Sequence, residues 1–192
     1  MKIVVINGPN LNFLGIREPQ IYGYETLKDL EHMLKNESEK YKAVELEFFQ
    51  SNSEGALIDF MQQCYYNKVD GIIMNPGALT HYSYALADAI KSVSIPVVEV
   101  HISNIHARES FRSHSVTAAN SIGIIGGFGF DGYTMALAGL VKYLNQKSKE
   151  WIRGSYLKEI KNWEEAIRKY KERDNSRQVL SIEKDKEEKT YS

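Results

Sequence analysis

The sequence predicts an α/β domain in which a five-stranded parallel sheet carries helices on both faces. Short apolar runs alternate five times with longer amphipathic segments along the first 148 residues. Such alternation is typical of βα units, whose crossover connections place the helices against a parallel sheet. Hydrophobic residues make up 43% of the chain, which is enough to fill the core of one domain of this length.

Five short runs have the length and residue types of strands. The first, KIVVIN, and the third, GIIM, have continuous apolar centres, as expected of strands that are buried on both faces. The second, VELEFF, alternates apolar and polar residues, the fourth, VVEVH, follows Pro96, and the fifth is SIGII. The predicted strands cover residues 2–7, 44–49, 71–74, 97–101 and 121–125.

The segments between the strands have apolar residues at helical spacing. In the first of them Leu27, Leu30 and Leu34 fall on one face, and Ser51 or Ser53 is in position to cap the second. The predicted helices cover residues 26–41, 57–66, 82–91 and 133–144.

Residues 149–192 form a predicted extension beyond a domain of residues 1–148, because about half of the extension is charged. We expect a helix over residues 156–171 and disorder after Asp174. A thin apolar stripe on this helix is expected to dock on the domain or on a neighbouring subunit. The stripe consists of Leu157, Ile160, Trp163 and Ile167.

Composition excludes several classes of protein. The net charge of −1 provides no basic field for nucleic acid or for a membrane surface. No apolar run approaches the ~20 residues of a membrane span, and the short apolar start is not typical of a signal peptide. The single cysteine, Cys64, is expected to be a buried helix residue, and a cytoplasmic location is expected for a chain without internal disulfides.

Gly127, Gly129 and Gly132 fit the pattern G-x-G-x-x-G between a strand and a helix, which is typical of dinucleotide sites. We reject that interpretation because no second strand with a terminal acidic residue follows about twenty positions later. The glycines are expected instead to let the last strand and helix approach closely.

Polar side chains concentrate in the loops after the first, third and fourth strands. Since the carboxyl ends of parallel strands share one edge of the sheet, these loops are expected to meet. The first loop, GPNLNFLGIREPQIYGYE, is long for a βα connection and typical of a lid or a binding loop. The residues collected at this edge are Asn10, Arg17, Tyr22, Asn75, His81, His101, Ser103, Arg108 and Arg112.

The same loops contain three blocks that resemble type II 3-dehydroquinate dehydratases over about residues 3–145: INGPNLNFLGIREPQIYG, NPGALTHYSYALADAI and VEVHISNIHARESFR. The resemblance implies a flavodoxin-like fold and a homododecamer built from trimers. It also implies dehydration of 3-dehydroquinate to 3-dehydroshikimate by enolate-forming trans elimination, in the shikimate or the quinate pathway, without cofactor or metal. It implies nothing about the extension.

The resemblance further implies roles for individual residues. Tyr22 is the base, and the positive charge of Arg17 favours its phenolate. Asn10 holds a water against the enolate oxygen, and His101 protonates the departing hydroxyl. Glu99 lies two residues earlier on the same strand face, and we infer that it orients His101. The substrate-binding positions are Asn75, His81, Ile102, Ser103 and Arg112, Asp88 matches a residue that reaches the neighbouring subunit's site, and Arg108 is an orienting, lid or structural residue.

Two other classes of function stay open on the residues alone. His81, His101, His106 and Glu99 are possible metal ligands, although they lack the tight H-x-x-x-H spacing of a helical site. A flavodoxin-like binding or assembly module without turnover is the other class. The unrelated Schiff-base route to the same product needs a buried lysine, and none of the three site loops contains one.

Overall fold

A computed structural model describes residues 1–16 and 24–190, with the backbone alone for residues 156, 166 and 170–190. The strands are β1 (Lys2–Asn7), β2 (Glu45–Gln50), β3 (Gly71–Asn75), β4 (Val97–His101) and β5 (Gly123–Gly126). They form one sheet in the order β2-β1-β3-β4-β5, and every neighbouring pair is parallel. This is the flavodoxin-like strand order, so the predicted fold class is confirmed.

The α-helices are α1 (Leu27–Ser38), α2 (Glu54–Tyr66), α3 (Tyr84–Val93) and α4 (Asp131–Thr190). Helix α1 starts after Thr26 because the Thr26 hydroxyl accepts a hydrogen bond from the Asp29 backbone, while the Asp29 carboxylate accepts one from the Thr26 backbone. Such a capping box contributes about 1 kcal/mol to stability. Of the two candidate serines, Ser53 caps α2.

The core lies on both faces of the sheet. Successive side chains of a strand point to opposite faces, so Ile3 and Val5 of β1 pack on one side while Val4 and Ile6 pack on the other. The first side is covered by α1 and the start of α4, and the second by α2 and α3. Cys64 of α2 is buried on the second side, as predicted, and burial raises the pKa of its thiol to about 11.

The chain divides into two compact units, Met1–Leu144 and Asn145–Ser192. The disorder predicted after Asp174 is wrong, because α4 extends to Thr190. After Gly154 the sequence contains neither glycine nor proline and is rich in lysine, glutamate and arginine, which are good helix formers. Glu165 and Lys169, one turn apart, form an ion pair of 3.0 Å that supports this part of the helix.

The glycines after β5 work differently from what we expected. A Cβ atom on Gly132 would lie 3.5 Å from side chains of Val100 and Ile125, which is ordinary van der Waals contact. A Cβ atom on Gly127, whose φ is +89°, would lie 3.2 Å from the Cβ atom of Asn104. The tight approach is therefore between the loops after β5 and β4, because a positive φ and the missing side chain let the chain turn there.

Among the described residues, none of the helices combines the length and hydrophobicity needed to cross a lipid bilayer.

Candidate active site

A cavity opens at the carboxyl ends of β1, β3 and β4, and the loops after these strands form its walls. Many of the residues selected from the sequence line it. They are Asn10, Asn75, His81, His101, Ile102, Ser103, Arg108 and Arg112. Apolar side chains of Leu11, Phe13, Leu14 and Ile105 also line the cavity. Arg17 and Tyr22 belong to residues 17–23, which lie outside the described residues.

The loops after β1 and β3 touch each other because glycine stands at the contact. The backbone N–H of Gly8 donates to the Asn75 carbonyl at 2.8 Å. A Cβ atom on Gly8 would lie 2.5 Å from the carbonyl oxygen of Pro76, closer than two such atoms approach. The absence of a side chain at position 8 therefore brings the first site loop against the second.

Asn10 has a left-handed backbone with φ of 68°, which asparagine adopts more readily than most residues. Its backbone N–H donates to the side-chain oxygen of Asn52 at 2.9 Å. The Gln50 amide donates to the same oxygen at 3.1 Å. The end of β2 and the loop after it therefore fix the backbone of Asn10 at the cavity.

Asn75 is held by a buried chain of hydrogen bonds that the sequence analysis missed. Its amide nitrogen donates to the Tyr133 hydroxyl at 2.9 Å, and that hydroxyl donates to Oδ1 of Asn7 at 2.7 Å. The amide oxygen of Asn75 accepts from the backbone N–H of Gly77 at 3.1 Å. Burial raises the pKa of the Tyr133 phenol, so this hydroxyl stays protonated. Nothing local in the sequence distinguishes Tyr133 from a core aromatic residue, since the contact spans 58 positions.

His81 contacts the described part of the protein through one ring nitrogen. Nδ1 lies 2.8 Å from the carbonyl oxygen of His114, and because a carbonyl only accepts, Nδ1 is the nitrogen that donates. The His81 ring also packs edge-on against Phe111, with ring centroids 6.0 Å apart. In neutral His81 these contacts leave Nε2 as a hydrogen-bond acceptor for a ligand hydroxyl.

Glu99 and His101 form a buried pair at the end of β4. Nε2 of His101 lies 2.7 Å from Oε1 of Glu99, and the two side chains are 6% and 1% exposed. Burial raises the pKa of the Glu99 carboxyl, but hydrogen bonds from His101, Thr117 and Thr80 outweigh it, so the pKa lies below its ordinary value. Glu99 is therefore a carboxylate that accepts a hydrogen bond from Nε2–H of His101, and this contact fixes the ring orientation and tautomer.

A cluster of hydroxyls that the sequence analysis also missed surrounds this carboxylate. Thr80 and Ser115 donate to Oε1 at 2.8 and 3.1 Å, and Thr117 donates to Oε2 at 2.6 Å. Thr80 directly precedes His81, and the other two lie in the segment that leads to β5. We name Thr80, Ser115 and Thr117 the hydroxyl cluster.

The two arginines of the cavity share an acidic neighbour. Nε of Arg112 donates to Oε2 of Glu109 at 2.8 Å, and Nε of Arg108 lies 3.6 Å from the same oxygen. A hydrogen bond from the Glu109 backbone and one from Arg112 hold the pKa of the Glu109 carboxyl below its ordinary value. The guanidinium carbon of Arg112 also lies over the Phe111 ring, 4.9 Å from its centroid, and this cation–π contact helps to hold the guanidinium at the cavity wall.

Asp88 lies exposed on α3 and is not part of the cavity lining of its own chain. Within the described part of the chain, no three or more histidine, cysteine, aspartate or glutamate side chains are grouped so that they would hold a metal ion.

The comparisons with known proteins agree on one family. The family model described as Dehydroquinase class II matches residues 1–141. The 3-dehydroquinate dehydratase of Clostridium acetobutylicum is 59% identical over 146 residues, which are 76% of this chain and 100% of that protein. The 3-dehydroquinate dehydratase of Carboxydothermus hydrogenoformans is 52% identical over 154 residues, 80% of this chain and 99% of that protein.

The solved structures give the same result. A type II dehydroquinase from Butyrivibrio crossotus matches with a TM-score of 0.71 and 55% identity, over 73% of this chain and 97% of that one. A type II dehydroquinase from Propionibacterium acnes matches with a TM-score of 0.70 and 42% identity, over 73% of this chain and 96% of that one. This chain therefore belongs to the class II dehydroquinase family.

Proposed function

We propose that the cavity is the active site in which this hydro-lyase dehydrates 3-dehydroquinate to 3-dehydroshikimate, a step of the shikimate pathway. The observation that carries this proposal is the meeting of three loops around one cavity. A histidine backed by a buried carboxylate, two asparagines and two arginines line that cavity. These groups offer a proton donor, neutral hydrogen-bond donors and fixed positive charge for a polyhydroxylated carboxylate substrate.

The reaction needs three chemical functions, which we assign to three residues. The Tyr22 phenolate removes the proton from the carbon next to the ketone, and the electron pair moves to the ketone oxygen as an enolate. Asn10 holds a water molecule that donates to this oxygen. The enolate then reforms the ketone and expels the hydroxyl of the next carbon, which takes a proton from His101 and leaves as water. The proton on Tyr22 and the one lost from His101 are exchanged with solvent, so the enzyme returns to its starting state.

Two charged residues are proposed to prepare these groups. A free tyrosine has a pKa of about 10, so the base needs a nearby positive charge, which we assign to Arg17 in the same loop. The Glu99 carboxylate accepts the hydrogen bond from Nε2 of His101 at 2.7 Å. The acid form of His101 carries protons on both ring nitrogens, and the proton for the leaving group is the one on Nδ1, which has no hydrogen bond to the described part of the protein.

The remaining cavity residues are proposed to bind the substrate. Arg112 has the charge and the fork geometry for the substrate carboxylate. His81 offers Nε2 to a hydroxyl, while Asn75 keeps the second hydrogen of its amide for the ligand. We assign Ile102 and Ser103 to the substrate hydroxyls and carboxylate as well, and Arg108 to an orienting or lid contact. The proposed reaction uses no cofactor and no metal ion.

A spectroscopic assay tests the activity directly. The product has a carbon–carbon double bond conjugated with its ketone, so addition of 3-dehydroquinate to the purified protein is expected to produce ultraviolet absorbance that grows with time. The rate should survive exhaustive chelation, and borohydride treatment with substrate should leave the protein mass unchanged. Absence of the absorbance would contradict the activity, loss on chelation would indicate a metal enzyme, and a trapped adduct would indicate a Schiff base.

We also propose that the chain works in the cytoplasm as a homododecamer built from trimers, in which Asp88 reaches the site of a neighbouring subunit. Asp88 is exposed and lies outside the cavity lining of its own chain, which fits that assignment. The sheet edge at β5 exposes Ile122, Ile124 and Phe128, with relative exposures of 44%, 52% and 59%. Exposed apolar side chains at a strand edge favour association with another copy.

Truncation after Lys149 is expected to retain activity. The compact unit that contains the cavity ends at Leu144, and the 146 residues matched to the Clostridium acetobutylicum relative span that protein completely. We expect kcat to stay within about twofold of the full chain, because the deleted residues supply no group to the proposed chemistry. Light scattering on the same preparations measures the assembly, and dissociation after truncation would show that the extension is an interface element.

A further inference from the structure

Four hydrogen-bond donors among the described residues surround the carboxylate of Glu99. Oε1 accepts from His101, Thr80 and Ser115, and Oε2 accepts from Thr117 at 2.6 Å. The side chains of both threonines are fully buried, with relative exposures of 0%. A threonine hydroxyl that is buried beside a carboxylate has its rotation restricted, so the hydrogen bonds of the cluster persist.

The number of protons that the hydroxyl cluster can donate fits a charged carboxylate as its acceptor. Its three oxygens also lie close to one another, with Thr80 at 2.8 Å from both Ser115 and Thr117, and Ser115 at 3.2 Å from Thr117. Each hydroxyl has one proton to donate, so a proton used between two hydroxyls is withdrawn from Glu99. A carboxylate without a proton can accept from all three hydroxyls and from Nε2–H of His101 at the same time.

The cluster also connects the loop that supplies His81 with the segment that leads to β5. Thr80 adjoins His81 in the loop after β3, and its carbonyl accepts from the backbone of Val116 at 2.8 Å. Ser115 and Thr117 flank Val116 in the segment before β5. A shift of any of these hydroxyls therefore moves the carboxylate against which the His101 ring is oriented.

We propose that Thr80, Ser115 and Thr117 are positioning residues of the dehydration, whose hydroxyls hold the Glu99 carboxylate charged and in the orientation that sets the His101 ring for proton donation. This proposal rests on the assigned roles of Glu99 and His101. Without the cluster the buried carboxylate would gain a proton or rotate. His101 would then lose the acceptor that fixes its ring orientation, and fewer enzyme molecules would have the acid in place.

The first test compares Thr117→Val with Thr117→Ser. Valine has nearly the shape of threonine without the hydroxyl, while serine keeps the hydroxyl. We expect kcat of Thr117→Val to fall by about tenfold with KM changed by less than about twofold, because a hydrogen bond to a charged group is lost away from the substrate. Thr117→Ser should recover most of kcat.

The second readout is the pH dependence of kcat. Hydrogen bonds that favour the charged carboxylate lower its pKa, so removing one raises it, and the acidic limb of the profile should move to higher pH in Thr117→Val. The titratable group in direct contact with Glu99 among the described residues is His101, and His106 and His114 line the outer cleft beside it. A purely structural role would lower the amount of folded enzyme without moving this limb.

Two further variants keep the proposal testable. Thr134→Val removes a threonine hydroxyl that donates to Asp131 in α4 and should leave kcat and the profile unchanged. If Thr117→Val fails to fold, Ser115→Ala, at a partly exposed position, replaces it and should lower kcat and shift the profile in the same direction. Wild-type kcat and an unshifted profile in the folded variant would overturn the proposal, as would equal losses in Thr117→Val and Thr117→Ser.

The outcomes also separate this proposal from the assigned function. A variant of His101 that keeps full activity would remove the acid role on which the cluster depends. An inactive His101 variant combined with a fully active Thr117→Val would leave the function in place and overturn the role of the cluster alone.

Discussion

Replacing Tyr22 with phenylalanine is expected to abolish turnover while leaving substrate binding in place. The phenol oxygen is the proposed base, and without it the proton next to the ketone has no acceptor in the assigned chemistry. General base catalysis contributes about 10²–10⁴-fold, so we expect kcat to fall by about a thousandfold or more. The dissociation constant for 3-dehydroquinate, measured by calorimetry, should stay within about fivefold, because the ring and the substrate-binding residues remain.

Tyr24→Phe is the matched control for this experiment. Tyr24 lies two residues further along the chain and is 82% exposed. The control variant therefore removes the same phenol oxygen from a side chain that lies in solvent. Its kcat should stay within about twofold of the unmodified enzyme. Retention of most of kcat in Tyr22→Phe would contradict the base assignment, and a large loss in both variants would point to the loop rather than to one phenol.

Replacing His101 with asparagine is expected to have an effect of similar size for a different reason. The variant keeps a polar side chain beside Glu99 but has no group that transfers a proton to the departing hydroxyl. We expect kcat to fall by about 10²–10⁴-fold, because the hydroxyl group then leaves as hydroxide instead of water, which is slow. Because proton removal precedes this step, exchange of the substrate proton with deuterated water should persist in His101→Asn and be lost in Tyr22→Phe.

His32→Asn serves as the control, because His32 lies exposed on α1. Melting temperatures of both variants should accompany the kinetics, since the lost contact of His101 with Glu99 removes a buried hydrogen bond of 2.7 Å. Normal turnover in a folded His101→Asn variant would refute the acid role. Loss of deuterium exchange in that variant would show that His101 also takes part in enolate formation.

Much of the fold was predictable because its signals are local. The apolar runs predicted all five strands, and parallel order followed from the alternation with helices, as the observed sheet confirms. Helix ends were less predictable, since they depend on single caps such as Thr26. The length of α4 was underestimated because high charge was interpreted as disorder, whereas lysine and glutamate at helical spacing also favour a long helix.

The cavity residues had a signal of a different kind. Asn10, His81 and Arg112 were selectable because polar groups follow strands whose ends share one edge of the sheet. The supporting residues had no such signal. In the sequence, Tyr133 resembles any core aromatic residue, and its contact with Asn75 spans 58 positions. Thr117 resembles any loop threonine, and its contact with Glu99 spans 18 positions.

By itself, the sequence determined the layers, the parallel strands and the loops that meet at the site, because residue periodicity and turn residues act over short distances along the chain. The strand order was an implication of the family resemblance. Only the tertiary structure decided that Glu99 is a charged group enclosed by hydroxyls, that one nitrogen of His101 is committed to it, and that Asn75 is anchored through Tyr133. Those properties depend on which side chains are buried next to one another, away from water. Packing decides this, because it brings together residues that are far apart in the sequence.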